Sequence, residues 1–179
     1  MDDIRIFYSG TPKGQVDLVP VTADVEKLAA YKTLFLPGWN TMTPEIYDRL
    51  IEYVRGGGHL VLCAAQCTEH VTRSFLTEKK DFAFIHGGDL SALAGVKVGS
   101  PEGVVNTVRF VDEELYTDPG VPGLYTEMSG GEALAVDQDG RPVLVENRIG
   151  DGKVWMLTLG EYWGHNALDS LRRAICLRA

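Results

Sequence analysis

The chain has 179 residues, 45% of them hydrophobic and 23% charged, which is enough to bury its own core and too balanced for a disordered or fibrous protein. A formal net charge of −8, with no stripe of Lys and Arg, excludes a nucleic-acid binder, because contact with a phosphate backbone needs clustered cations. Three cysteines cannot make a disulfide framework and are expected as reduced thiols in the cytoplasm, and no apolar run approaches the ~20 residues that cross a bilayer.

Ile4 to Tyr8 is a short β-prone run and Val16 to Val21 is a second, weakened by Pro20. The gap between them is shorter than the dozen or so residues of a helical crossover, so the pair reads as antiparallel or lacks a helix. Thr33 to Leu36 is an apolar strand, Pro37-Gly38-Trp39-Asn40 a turn, and the next segment a helix capped by Thr43 with Pro44 in its first position. Ile46, Leu50, Ile51 and Val54 recur at the helical period, and Gly56-Gly57-Gly58 ends the run. His59 to Cys63 is the following strand, so residues 33–63 form a right-handed parallel βαβ unit.

Residues 64–90 are irregular and read as a long loop, with His70 and His86 in it. Asp89 to Ala94 is expected as a short helix closed by Gly95. Beyond Val104 the pattern becomes alternating strands over 106–111, 133–137, 142–149 and 153–159, with tight turns at Asp139-Gly140 and Asp151-Gly152. Ala167 to Leu177 sets Ala167, Leu168, Leu171, Ala174 and Ile175 on one helical face. The expectation is one α/β domain over residues 1–179, whole or cut from a longer protein, with a mainly parallel, flavodoxin-like sheet, flanking helices and added antiparallel strands.

Ligands on open α/β sheets bind beyond the carboxyl ends of the strands, which places Gly38, Trp39 and Asn40 opposite Cys63 and Gln66. A cysteine at a strand end acts as a nucleophile when a histidine and backbone N–H groups stand by it, and Gly38 and Trp39 are placed to give such groups to an oxyanion. The same position also suits a small, buried strand-end residue, as cysteine often is. Cys63 and Cys67 complete no zinc site, and no cofactor motif occurs. His70, His86, Asp81 and Asp89 are spaced too loosely to specify a metal and read as a solvated loop.

Residues 31–66, "YKTLFLPGWNTMTPEIYDRLIEYVRGGGHLVLCAAQ", 87–98, "GGDLSALAGVKV", and 140–163, "GRPVLVENRIGDGKVWMLTLGEYW", resemble the class I glutamine amidotransferase-like superfamily. Within it they resemble most the trimerisation domain of family 42 β-galactosidases. In catalytic members of the superfamily glycines flank the nucleophile and a His-x-Glu pair near the chain end completes a triad. Here Val61-Leu62 and Ala64-Ala65 flank Cys63, and Leu159 stands where that histidine would precede Glu161. The resemblance therefore implies a non-catalytic domain for self-association, or for shaping a neighbouring domain's pocket, in a carbohydrate-active protein. Two alternatives remain. One is a small cysteine hydrolase or amidohydrolase using Cys63, His165 and Glu161. The other is a module whose rim of Trp39, Asn40, Gln66, Tyr162 and Trp163 binds a sugar or other small molecule.

Overall fold

The computed structural model describes residues 16–37, 41–70, 82–110, 114–163 and 168–179. In chain order the elements are α1 (Val25–Leu28), β1 (Thr33–Phe35), α2 (Pro44–Arg55), β2 (His59–Cys63), α3 (Ser91–Ala94), β3 (Val96–Phe110), β4 (Glu114–Met128), β5 (Glu132–Asp137), β6 (Pro142–Ile149), β7 (Gly152–Leu157) and α4 (Asp169–Arg178). The seven strands form one sheet in the order β1-β2-β7-β6-β5-β3-β4.

The βαβ unit forms as its residues dictate. Thr43 Oγ1 accepts the Ile46 N–H at 3.3 Å, Pro44 opens the helix where no N–H is needed, and Ile46, Tyr47, Leu50, Tyr53 and Val54 are buried along one face. β2 is buried over all five residues because both faces of the sheet are covered. Leu60 and Leu62 point with Val154 and Met156 of β7 into a core under α2 and α3. Val61 and Cys63 point with Trp155 and Leu157 into a second core, under α4. The glycines after α2 allow close approach: a Cβ at Gly58 would lie 2.2 Å from Cζ of Tyr53, whose hydroxyl donates to the Tyr31 and His59 carbonyls at 3.0 and 3.3 Å.

The expected mainly parallel sheet needs correction. Among the described residues only β1–β2 and β2–β7 run parallel, while β7–β6, β6–β5, β5–β3 and β3–β4 are antiparallel. The cause is the tight turns after β5 and β6, since a short hairpin can join only antiparallel neighbours. Val16 to Val21, expected as a strand, forms none. Residues 16–20 are irregular, and the Pro20 carbonyl accepts the Ala23 N–H at 2.9 Å in a turn leading to α1. The strand expected over Ile4–Tyr8 lies outside the described residues. α3 ends as expected at Gly95, which has φ 67°. The carboxyl-terminal helix is present as α4.

β3 and β4 are each 15 residues long and pair from Val96↔Met128 to Arg109↔Glu114, with register shifts around Pro101 and Val104. Only the far end of β3 pairs with β5. At its middle β4 meets the segment that follows β7: Leu124 N–H donates to the Thr158 carbonyl at 3.1 Å, and Gly160 N–H to the Pro122 carbonyl at 2.9 Å. The antiparallel half thus closes on itself, and the long hairpin passes over the carboxyl end of the parallel strands. Gln138 and Arg141, on the β5–β6 turn, fasten it there. Gln138 accepts from Asn106 and Thr107 N–H and donates to the Val104 carbonyl, while Arg141 spans Asp137, Asp139 and the Glu102 carbonyl.

Candidate functional site

The position beyond the carboxyl ends of β2 and β7 is built from Cys63, the helical turn Ala64–Gln66 and the segment 158–163. Cys63 closes β2 with φ −99° and ψ 146°, an ordinary extended conformation, so the backbone there carries none of the strain of a nucleophile elbow. That conformation matches its flanks, which hold no glycine. Cys63 is fully buried.

The side chain of Gln66 determines how this strand end is held. Its Oε1 accepts the Cys63 N–H at 2.8 Å, its Nε2 donates to the Leu36 carbonyl just beyond β1, and Cys63 Sγ in turn accepts the Gln66 N–H. Gln66 is fully buried, and it satisfies groups at the ends of two adjacent strands at once. A free N–H at this position is what an oxyanion would require, and the Cys63 N–H is already taken.

Glu161 and Trp163 are each 5% exposed, and Tyr162 between them is half-buried. The Trp163 ring lies 5.9 Å from that of Phe35, and its carbonyl accepts from Arg172 Nη1 of α4 at 3.2 Å. β4 seals this segment from above. A Cβ at Gly160 would come within 3.3 Å of Pro122 Cβ and 3.6 Å of Leu124 Cδ2. Burial pushes the Cys63 thiol pKa far up, and neighbouring Cys67 and Glu161 raise it further, against the opposing effect of a hydrogen bond from the Trp163 backbone. Cys67 is likewise raised by burial, to about 12.

The structure therefore brings Cys63, Gln66, Glu161 and Trp163 together at one strand end. Gly38, Trp39, Asn40 and His165 lie outside the described residues. The other histidines are placed elsewhere. His59 begins the strand that Cys63 ends, the His70 ring nitrogen accepts the Ala83 N–H at 3.2 Å, and His86 stacks edge-on against Tyr47 at 5.0 Å. Among the described residues no group of three or more His, Cys, Asp or Glu side chains could hold a metal ion, and no helix is long and apolar enough to cross a membrane. The sequence signalled this strand end but not its lid, because Pro119, Gly120, Pro122 and Gly123 disguise β4.

The chain is similar to known proteins over most of its length. The model of the β-galactosidase trimerisation domain family matches residues 2–177. The chain is 30% identical over 169 residues to the β-galactosidase Bga of Halorubrum lacusprofundi, an alignment that takes in 83% of this chain and 23% of that protein. The solved polyextremophilic β-galactosidase of the Antarctic haloarchaeon Halorubrum lacusprofundi superposes with a TM-score of 0.64 at 25% identity, over 93% of this chain and 24% of that one. The β-galactosidase of the psychrophilic Marinomonas ef1 has the same fold, with a TM-score of 0.57 at 22% identity, over 92% of this chain and 22% of that one. The chain spans about a quarter of the length of these relatives.

Proposed function

The chain belongs to the β-galactosidase trimerisation domain family, and on that premise we propose that it is a non-catalytic assembly domain, associating with copies of itself and helping to wall a neighbouring domain's pocket. The observation that carries this reading is the filled strand end: where an enzyme on this kind of sheet keeps a crevice, Cys63 and Gln66 are fully buried and β4 is hydrogen-bonded over the segment that follows β7. We read residues 1–179 as one domain of a larger cytoplasmic glycoside hydrolase, with sugar handled by other parts of that protein. The parallel β1–α2–β2 unit supports an amidotransferase-like, flavodoxin-like ancestry, and Cys63 with Glu161 is then the remnant of a triad. A cysteine hydrolase using Cys63, Glu161 and His165 would need a thiolate, and burial opposes its formation.

Sedimentation velocity across a range of protein concentrations tests the assembly role. The expected result is a species of about three times the 19.6 kDa chain mass that grows with concentration. A chain that stays at 19.6 kDa up to millimolar concentration overturns it.

A further inference from the structure

The alternation along β2 puts His59 on the same face as Val61 and Cys63, the face that α4 covers. His59 is 6% exposed, and its Nε2 is buried without a hydrogen-bond partner. On β7, Trp155 meets its ring edge-on at 4.9 Å, and Lys153, its register partner, reaches over the Trp155 ring at 4.3 Å. On β6, the Glu146 carboxylate accepts the Trp155 indole N–H at 2.8 Å and pairs with Arg148 at 2.7 Å and Lys153 at 3.9 Å. On α2, the Tyr53 hydroxyl, which donates to the Tyr31 carbonyl, reaches His59 at its backbone carbonyl and not at its ring. On α4, Leu171, Ala174 and Ile175 share the core cluster of Trp155, and Ala179 lies at the end of the helix.

A neutral imidazole fits this environment and a charged one does not. Burial is the first cause and the Lys153 ammonium the second, and together they outweigh the opposing pull of the Ala179 main chain and Glu146, so that the pKa falls to about 4. An imidazolium at this position needs water. β2 cannot yield, since it is hydrogen-bonded to β1 on one side and β7 on the other. The last turns of α4 can, because beyond Arg172, which donates to the Trp163 carbonyl from the first turn, this ten-residue helix is held by apolar contacts and by Arg178 stacked 4.5 Å over Phe110.

We propose that His59 is an acid-sensitive seat for the last turns of α4, holding the helix on the sheet while neutral and releasing it when protonated. The stabilisation is complete above the unfolded-state pKa of about 6.5 and is lost as the pH falls through that value toward the lower, folded one. Released, α4 would uncover Trp155 and the core face of β2.

Residue-resolved hydrogen exchange on this chain tests the idea, with protection factors of α4 amides compared with those of α2. Between pH 7 and pH 4, α4 protection should fall about a hundredfold, the population shift implied by a pKa change of that size, while α2 protection holds. In His59→Gln the fall should vanish, and His59→Phe, which keeps a ring against Trp155, serves if the glutamine variant does not fold. An equal fall in the variant, a parallel loss in α2, or an imidazole that titrates near 6.5 in the folded chain overturns the proposal.

Discussion

Gln66 Oε1 accepts the backbone N–H of Cys63 at 2.8 Å, so the one residue a catalytic reading would make a nucleophile has its amide tied down by its neighbour three positions on. The other end of the same amide donates to the Leu36 carbonyl. This clasp joins the carboxyl ends of β1 and β2 in a fully buried setting. Gln66→Ala would leave both the Cys63 N–H and the Leu36 carbonyl without it, at a cost of about 3 kcal/mol. Gln66→Glu should cost at least as much, because its second oxygen would face a carbonyl oxygen. Urea unfolding with the midpoint and slope measured separately checks both.

Trp155 and Glu146 supply a second case. The indole N–H is buried with the ring, which is 5% exposed, and Glu146 Oε2 is its acceptor at 2.8 Å. Glu146→Ala should destabilise by about 2 kcal/mol, while Glu146→Gln, which keeps an acceptor oxygen, should lose about half as much. The flanking pairs with Arg148 and Lys153 lie nearer the surface and add little. Fluorescence-monitored denaturation distinguishes the two variants.

Gly152 opens β7 where α2 ends. A Cβ there would sit 2.0 Å from the Val54 carbonyl oxygen and 2.4 Å from that of Gly58, and backbone on both sides cannot give way. Gly152→Ala should cost about 3 kcal/mol or more and show as insoluble expression or a steep drop in the unfolding midpoint. Gly140→Ala, with open space around its Cβ but φ at 82°, should cost only about 1 kcal/mol of backbone strain.

The contrast between these sites explains what the sequence could show. The β1–α2–β2 unit was legible because Thr43 and Pro44 mark the helix start, its apolar residues follow one period and Gly56-Gly57-Gly58 marks the end. Of β3 only the far end, within the strand expected over 106–111, was legible; the rest of β3 and β4 were not, because Gly99, Pro101, Gly103, Pro119, Gly120, Pro122 and Gly123 break the period-2 pattern, and the strands survive by shifting register around them. The position of the candidate site could be read from the strand end, but its closure could not. A glutamine after a strand looks like a rim residue until its side chain is seen to turn inward onto Cys63 and Leu36. The short α1 left no signal beyond Asp24 before four residues.

Gly160 keeps the lid seated. With Pro122 and Leu124 already within 3.3 to 3.6 Å of a Cβ, Gly160→Val should push β4 away and cost about 1–3 kcal/mol. It should also make Cys63 more accessible to thiol reagents than in the parent chain, a result that ordinary destabilisation of α4 or β6 would not single out. Peptide-resolved alkylation under native conditions makes the comparison.

The central claim is that this strand end is packed core and not a catalytic pocket, and alkylation of the parent chain tests it most directly. At pH 8, iodoacetamide should modify the half-buried Cys176 and leave Cys63 and Cys67 untouched until urea unfolds the chain. Rapid native labelling of Cys63, ahead of Cys176 and already present at pH 6, would mean an accessible thiolate and would contradict the account.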